Sequence, residues 1–267
     1  MLFRSLAFFV FAMRALRELD IPVSKKVVLQ INADEEVGSE TSRALTEEAA
    51  SKCDCVLVLE PGTGLHGALK TARKGVGDYK VRVRGRASHA GVDFKKGVSA
   101  ILELSNQIRR ISRFTRLRRG ITVSVGVIGG GTRSNVIPEE AWAHVDIRIA
   151  RMADEAYLEK QFHGLRPVHP ETRIEVAGGL NRPPMERSAG GVRLFRKARE
   201  LAVPLGLDLE ESATGGGSDG NFTAALGVPT LDGLGGVGEG AHAVNESILL
   251  DQFTLRTALL AHLLISI

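Results

Sequence analysis

Hydrophobic and polar residues alternate in two different rhythms along the chain, and the first rhythm covers residues 1 to about 72. Apolar residues at helical spacing predict helices at 3–19 and 39–51. Short apolar runs predict buried strands at 26–32 and 55–59. Because helices that alternate with buried strands are typical of crossover units, this part of the chain is predicted to build a largely parallel sheet.

The second rhythm begins after Gly75, where apolar and polar residues alternate with the two-residue period of a half-buried strand. The pattern predicts strands at 79–85, 121–128, 141–149 and 172–176, with helices near 97–113 and 154–163. One polar face per strand indicates an antiparallel sheet that helices cover on one side. The stiff segment Asn181-Arg182-Pro183-Pro184 then separates this module from the helices and glycine-rich turns that follow.

Together the two rhythms predict an α/β protein in which a smaller α+β module is inserted into a domain with a mostly parallel sheet. The α/β domain comprises residues 1–72 and 186–267, and the inserted module comprises residues 73–185. A chain of 267 residues, 43% of them hydrophobic, is long enough to bury a substantial core.

Charge and cysteine content bear on location and partners. The formal net charge is +4, and much of the excess lies in the arginine-rich stretch 109–119. A solvated helix end and loop accounts for that stretch, so no nucleic-acid partner is expected. Cys53 and Cys55 are two residues apart, a spacing that does not suit a disulfide, and a reduced, cytoplasmic location is therefore expected.

The apolar run Leu6–Met13 near the amino terminus has two interpretations. It favours an internal, largely buried helix, because Arg14, Arg17 and Glu18 continue at helical spacing and no small-residue cleavage site follows. A secretory signal remains the alternative. The run is too short to span a bilayer, so no membrane partner is expected.

Candidate chemistry is concentrated at the ends of the first two predicted strands. Glu35 and Glu36 follow the first strand, and Glu60 follows the second. Because neighbouring parallel strands deliver their carboxyl ends to one crevice, the three carboxylates are expected to lie close together and to require a cation. His242 lies on a glycine-flanked loop ahead of the final helix and is a candidate metal ligand.

Four further segments stand out: the glycine-rich one is as readily structural as functional, and the other three by themselves favour a structural interpretation. The glycine-rich segment Thr214–Asp219 could cradle an anion with its backbone amides or form a structural turn. In the inserted module, His89 follows a strand, Asn135 lies between two strands and Arg148 closes another.

These segments, in this order, resemble the M20 family of di-zinc metallopeptidases, and most closely its glutamate carboxypeptidase-like branch. The resemblance is carried by segments that span nearly the whole chain: Asn32-Ala33-Asp34-Glu35-Glu36-Val37-Gly38-Ser39, Leu59-Glu60-Pro61, Gly85-Arg86-Ala87-Ser88-His89-Ala90-Gly91, Ser134-Asn135-Val136-Ile137-Pro138, Val145-Asp146-Ile147-Arg148, Thr214-Gly215-Gly216-Gly217-Ser218-Asp219 and the loop 240–246. Several matches in register are more specific than any one of them.

The resemblance implies roles for the acidic residues and for one histidine. Glu35 corresponds to the general base that takes a proton from metal-bound water and passes it to the leaving amine. Glu36 and His242 correspond to ligands of one zinc ion, and Glu60 to a ligand of the second. The family binds two Zn²⁺ ions in each active site.

The resemblance also implies roles in substrate binding and assembly. The inserted module corresponds to a lid and dimerisation domain, in which His89 reaches the active site of the partner subunit and steadies the oxyanion. Asn135 and Arg148 correspond to residues that grip the substrate carboxylate. Gly216 is assigned to the substrate-binding turn. The expected substrate is a small peptide or an N-acyl amino acid, and the expected assembly is a homodimer that pairs through residues 75–182.

One departure from the family pattern changes the expected activity. Family members carry a strand ending in His-x-Asp and, later, an aspartate that bridges the two metals, and neither is found in this sequence. The interpretation is an amino-terminally shortened chain with an incomplete catalytic domain, reduced or absent zinc occupancy and little hydrolase activity. Two alternatives remain: a non-catalytic dimerisation or binding protein that retains the lid module, and a start codon assigned too far downstream.

Overall fold

The structure is a computed structural model that describes residues 2–240 and 243–267. Its helices are α1 (Leu2–Glu18), α2 (Arg43–Ala50), α3 (Ala100–Ile111), α4 (Glu155–His163), α5 (Ala189–Ala202), α6 (Gly220–Ala225) and α7 (Leu250–Ser266). Its strands are β1 (Val56–Val58), β2 (Leu69–Arg73), β3 (Gly75–Arg84), β4 (Ser88–His89), β5 (Thr122–Gly130), β6 (Val136–Ile137), β7 (Glu140–Ile149), β8 (Arg173–Arg182), β9 (Glu211–Thr214), β10 (Thr230–Asp232), β11 (Gly238–Glu239) and β12 (Ser247–Ile248).

The chain divides into two compact units. Unit 1 consists of Met1–Arg73 and Met185–Ile267, and unit 2 consists of Lys74–Pro184. The two passages of unit 1 meet where Arg73 and Met185 exchange backbone hydrogen bonds of 2.9 and 3.0 Å. Unit 2 is thus inserted between them. The functional labels of a catalytic domain and a lid domain stay predictions.

The sheet of unit 1 has four strands in the order β1-β10-β2-β9. Two of its three pairings, β1 with β10 and β2 with β9, are parallel, and the central pairing of β10 with β2 is antiparallel. Helices α5 and α7 cover it, and Leu69, Leu231 and Leu259 are buried between the layers. The predicted mixed α/β architecture is confirmed.

Helix α1 buries a stripe rather than its whole surface. Phe8, Ala12 and Leu16, spaced four residues apart, are buried against α7, where Phe8 lies 4.5 Å from Phe253 between ring centroids. Phe11 stays half exposed. The expectation of a largely buried helix was therefore too strong, because an amphipathic stripe is enough to dock one helix on another.

The predicted strand at 26–32 is wrong. Among the described residues this segment has no ladder partner, and Val28, Leu29 and Ile31 are exposed. Its apolar composition is that of a buried strand, but a strand is defined by the neighbour to which its backbone bonds. The segment runs without regular structure along the wall of a cavity in unit 1.

Unit 2 contains an antiparallel sheet in the order β5-β7-β3-β8. Side chains along β3 alternate between buried and less buried positions, as the period of two in the sequence predicts. The buried face packs on α3 and α4, and Tyr79 stacks on Phe162 with ring centroids 3.8 Å apart. Strand β8 continues through Asn181 and Arg182, so the predicted breaker acts only from Pro183 onward.

Glu103 is a buried carboxylate that ties α3 to the loop before β8. It accepts hydrogen bonds from the amides of Val168 and His169 at 2.9–3.1 Å and from the Gln107 amide group at 2.5 Å. Burial alone would raise the pKa of Glu103, but these hydrogen bonds outweigh it and hold the pKa below its usual value. Glu103 is therefore charged and structural.

Two smaller sequence expectations concern the cysteines and the membrane. Cys53 and Cys55 are free thiols. None of the helices in the described part of the chain combines the length and the apolar character that crossing a bilayer requires.

Candidate active site

The acidic pair lies on a short 3₁₀ turn, Glu35–Val37, that directly follows the extended segment 26–32. Gly38 ends the turn in the left-handed conformation, with φ 106°, and its amide donates to the Glu35 carbonyl oxygen at 3.2 Å. A side chain is rarely tolerated at such a φ, so glycine is required there. Glu35 is half-buried and Glu36 is exposed.

Asp34 fastens this turn to the following helix. Its Oδ2 accepts hydrogen bonds from the Thr41 amide at 2.8 Å, the Thr41 hydroxyl at 2.7 Å and the Ser42 amide at 3.2 Å. The neighbouring hydroxyl groups of Ser42 and Thr41, with both amides, hold the pKa of Asp34 well below its usual range. The hydrogen bonds favour the charged form of Asp34, and they anchor the acidic pair to the start of α2.

Glu60 stands just beyond the end of β1, where the sequence predicts a strand-end carboxylate. The Gly235 amide donates to the Glu60 carbonyl oxygen at 2.9 Å. Gly235 has to be glycine, because a Cβ at that position would lie 2.2 Å from the Leu59 carbonyl oxygen. The close approach of these two backbones fixes the position from which the Glu60 side chain begins.

The charges around Glu60 show that the acidic residues influence one another. Burial is the largest cause that raises the pKa of Glu60, and the charge of Asp232 raises it further. The cations Arg73 and Lys70 oppose this, and the carboxylate of Glu36 adds a further upward shift. The charge of Glu36 thus acts on Glu60, although the segment ahead of Glu36 forms no strand.

One cavity of about 790 Å³ in unit 1 brings these residues together. Glu35, Glu36, Glu60 and Asp219 line it, together with apolar side chains of the segment 26–33, β1 and α7. A cleft of this size with a few converging polar groups is the usual form of a small-molecule site.

The donor chemistry of this cavity suits a divalent cation, because mutually repelling carboxylates are stabilised when a cation lies between them. Within residues 2–240 and 243–267, no group of three or more His, Cys, Asp or Glu side chains is close enough to hold a metal ion. His242, the predicted imidazole ligand, lies outside the described residues. Its role and those of Glu36 and Glu60 as ligands stay predictions.

The glycine-rich segment after β9 is held by a buried cation. Arg73 donates from Nη1 to the carbonyl oxygens of Gly216 and Gly217, each at 3.0 Å. These contacts favour the structural interpretation of the turn, since its carbonyl groups are already engaged in holding it. The assignment of Gly216 to substrate binding stays a prediction.

His89 and Asn135 lie side by side in unit 2. Strands β4 and β6 pair His89 with Val136, and the Ala90 amide donates to the Asn135 carbonyl oxygen at 2.9 Å. Nδ1 of His89 accepts from the amides of Gly91 and Val92 at 3.1 and 3.2 Å, so the ring proton resides on Nε2. Nε2 is therefore a hydrogen-bond donor on an exposed side chain.

Arg148 lies away from these two residues, near the opposite end of β7. It pairs with Val76 at the start of β3, whereas Glu140, at the His89 end, pairs with Arg84. Eight residues of strand separate Glu140 from Arg148, which corresponds to about 27 Å. The Arg148 guanidinium pairs with Asp146 on the same strand at 2.7 Å. Within one chain, the structure therefore does not join Arg148 to the His89–Asn135 pair.

Sequence reasoning missed Arg73 and Asp232, which form a buried ion pair at 2.7 Å. Asp232 ends strand β10, and the strand-end argument that selected Glu60 applies to it equally. Arg73 gives no such signal, because a basic residue near a chain junction is normally solvated.

Comparison with known proteins adds sequence matches to this geometry. Residues 71–170 match the family described as the peptidase dimerisation domain, M20_dimer. Carboxypeptidase G2 from Pseudomonas sp. (strain RS-16) is 30% identical over 237 residues, which cover 86% of this chain and 56% of that protein. The chain thus spans about half the length of the curated relatives it matches.

Solved structures share the fold. Aminopeptidase PepT from Bacillus cereus ATCC 10987 superposes with a TM-score of 0.80 at 24% identity, covering 98% of this chain and 69% of that one. The Bacillus subtilis YXEP protein, described as a dinuclear metal binding peptidase from the M20 family, gives a TM-score of 0.62 at 16% identity, covering 86% and 62%.

The fold, the inserted module and the sequence matches together define the class of protein. It is a peptidase-type α/β protein that carries a dimerisation domain. The match to the dimerisation-domain family and the identity with carboxypeptidase G2 support an M20 peptidase, as the sequence resemblance predicted.

Proposed function

We propose that this chain carries the catalytic residues of a metal-dependent M20 hydrolase that cleaves a peptide bond or an N-acyl amino-acid amide. The observation that carries the proposal is that Glu35, Glu36 and Glu60 line the same cavity. Two carboxylates that repel each other across a cleft supply ligands for a cation, and a third adjacent carboxylate supplies a base.

Each residue has a distinct role in the proposed reaction. Glu36, Glu60 and His242 would hold zinc, which when bound activates water and polarises the scissile carbonyl group. Glu35 takes the proton of the attacking water and delivers it to the leaving nitrogen. His89 of one subunit donates from Nε2 to the oxyanion that develops in the active site of the other subunit. Two backbone amides donate to its Nδ1, which supports a proton on Nε2.

The substrate class rests on groups that recognise carboxylates. Arg148 of one subunit and Asn135 of a second copy are proposed to bind the substrate carboxylate, since a guanidinium group and an amide match its geometry and the two residues of one chain lie too far apart to do so. Gly216 is proposed to line the substrate position in the glycine-rich turn. Carboxypeptidase G2 and the acetylornithine deacetylase of Klebsiella pneumoniae, 31% identical over 153 residues, both have names that fit this class of substrate.

We further infer that the 267-residue polypeptide by itself binds zinc weakly and hydrolyses slowly. Its sequence supplies three candidate ligands for two zinc positions, whereas a stable zinc site has three or four ligands around each ion. Weak occupancy leaves the water unactivated for most of the time, so the rate falls in proportion.

Zinc content and residual hydrolysis test this function. Elemental analysis and calorimetric titration with Zn²⁺ measure occupancy, and N-acyl amino acids and glutamyl dipeptides serve as substrates. We expect less than two zinc ions per chain and a slow, zinc-dependent hydrolysis that disappears in Glu35→Gln. Glu40→Gln, an exposed glutamate near the same turn, should leave the rate unchanged. Full occupancy without any hydrolysis would exclude the hydrolase, and an ordinary enzymatic rate would refute the impairment.

A non-catalytic dimerisation protein is the second candidate, and the exposed surface of unit 2 favours it. Strand β5 lies at the edge of its sheet with Val127 and Ile128 exposed, and Ile101 and Leu102 are exposed on α3. An open strand edge beside exposed apolar residues is suited to pairing with a second copy. Absence of both zinc and hydrolysis in a stable dimer would favour this candidate over the enzyme.

A further inference from the structure

Asp219 connects the two ends of the acidic turn. Its Oδ2 accepts a hydrogen bond from the Asn32 amide group at 2.5 Å, and its Oδ1 accepts one from the Ser39 hydroxyl at 2.6 Å. Asn32 precedes the turn and Ser39 follows it, with Glu35 and Glu36 between them. A single carboxylate therefore holds both flanks of the segment that presents the acidic pair.

Ser39 shows why such a hold is needed. It is fully buried and its backbone adopts φ 59°, a conformation that L residues other than glycine adopt at a cost of about 1–2 kcal/mol. Without a compensating contact, the chain would relax toward an ordinary conformation and move the neighbouring turn. The charge-assisted hydrogen bond to Asp219 supplies that contact.

Asp219 is itself fixed by a buried network. It precedes α6, and its neighbour Ser218 donates to Asp232 at 2.7 Å. Asp232 forms two hydrogen bonds with Arg73, at 2.7 and 3.0 Å, and Arg73 also holds the carbonyl groups of Gly216 and Gly217. Contacts thus run without a break from the buried ion pair to the acidic turn.

We propose that Asp219 is a positioning residue that holds Glu35 and Glu36 in their places at the cavity. The proposal rests on the proposed function for its catalytic meaning, but the mechanical claim can be tested separately. Because both carboxylate oxygens accept hydrogen bonds from the flanks of the turn, the contacts favour positioning over direct metal ligation.

Hydrogen exchange of the turn tests the mechanical claim. The amides of Val37, Gly38 and Ser39 donate within the turn at 2.9–3.2 Å and report its order. Asp219→Ala should raise their exchange rates about tenfold or more, while amides of α5 keep their rates. Asp208→Ala, which removes an exposed aspartate of the same unit, should change neither set.

A conservative variant separates positioning from general stability. In Asp219→Asn, the side-chain oxygen can still accept from Asn32, and the side-chain NH2 group can donate to the Ser39 hydroxyl oxygen. The amide exchange rates of the turn should therefore return to within about threefold of those of the parent protein. Unchanged exchange of the turn in Asp219→Ala would overturn the proposal, as would an equal increase in α5.

Zinc titration connects the turn to the proposed site. Loss of a residue that supports metal ligands typically lowers affinity about 10- to 100-fold, so Asp219→Ala should bind Zn²⁺ at least about tenfold more weakly, with Asp219→Asn in between. Weaker zinc binding with unchanged exchange of the turn would make Asp219 a ligand and refute positioning. If the parent protein binds no zinc, the proposed function fails, and the exchange experiment still decides the role of Asp219.

Discussion

Arg73 and Asp232 form a buried ion pair with two hydrogen bonds, from Nε to Oδ2 at 2.7 Å and from Nη2 to Oδ1 at 3.0 Å. Arg73 is 6% exposed and Asp232 is fully buried, so water cannot solvate either charge if its partner is removed. Each charge therefore depends on its partner, and the pair fixes the glycine-rich segment beside the candidate active site.

Removal of either partner should destabilise unit 1. Asp232→Asn removes the carboxylate that pairs with both Arg73 and the buried Lys70, and we expect a loss of about 3–5 kcal/mol in the free energy of unfolding. Arg73→Met should cost less, because Lys70 still lies 4.0 Å from Asp232. Urea denaturation measures this loss. The exposed pair of Lys25 and Asp54, 3.3 Å apart, provides the control, and Asp54→Asn should cost less than about 1 kcal/mol. Similar losses at the two sites would contradict the buried-pair argument.

The lowered pKa of Glu103 should make the free energy of unfolding of unit 2 depend on pH. Its pKa is lower in the folded protein than its usual value of 4.5, so its contribution is fully present above that value and is lost as the pH falls through the folded pKa. Glu103→Gln places an amide group where backbone amides donate and should cost about 2 kcal/mol at pH 7.

The check for Glu103 is denaturant unfolding across a pH series. The difference between Glu103→Gln and the parent protein should shrink below about pH 4.5, because protonation then removes the charge from the parent as well. Glu171→Gln, which removes an exposed carboxylate of the same unit, serves as the control. A difference that stays constant down to pH 3 would argue against a charged Glu103.

Gly235→Ala should displace the strand end that carries Glu60. The new Cβ would meet the Leu59 carbonyl oxygen at 2.2 Å, and backbone has to move to relieve the contact. We expect a loss of about 1–3 kcal/mol in stability and weaker Zn²⁺ binding, measured by denaturation and calorimetry. Gly126→Ala is the matched control, because nothing lies within 4 Å of its Cβ. Equal behaviour of the two variants would refute the steric argument.

Charged substitutions on the exposed face of unit 2 should prevent dimer formation. Leu102→Glu and Ile128→Lys place charges on side chains that are 65% and 62% exposed and that are proposed to become buried between copies. Sedimentation at micromolar concentration should show dimers of the parent protein and monomers of the double variant. Val168→Lys, which alters an exposed valine elsewhere in the unit, should remain dimeric. A monomeric parent would exclude this interface.

Hydrophobic periodicity located the helices and strands of unit 2 well, because its strands bury one face and expose the other, which gives the sequence a period of two. Strand β3 shows the period of two and pairs with β7 and β8 over its whole length. The segment 26–32 shows the limit of the method. Composition reports that a segment can be a strand, but pairing depends on a neighbour that local sequence does not specify.

The candidate site was predictable where it follows from strand ends and not where it depends on buried polar contacts. Glu60 was selected because it follows a buried strand, β1, and the structure has that strand. Glu36 was selected by the same argument, although the segment 26–32 ahead of it forms no strand. Asp219 was recognised only as part of a glycine-rich segment, since its partners Asn32 and Ser39 lie about 180 residues away in sequence. Contacts between such distant residues leave no periodic signal.

The pairing of β1 with β10, in which Val56 lies opposite Thr230, determines the order in which the two units can fold during synthesis. All strands of unit 2 lie between these two residues and can pair as soon as they leave the ribosome. The sheet of unit 1 has to wait until nearly the whole chain has been synthesised, and closing so long a loop is slow. During translation, the apolar strands β1 and β2 therefore remain without their partner strands longest, and they depend most on chaperones.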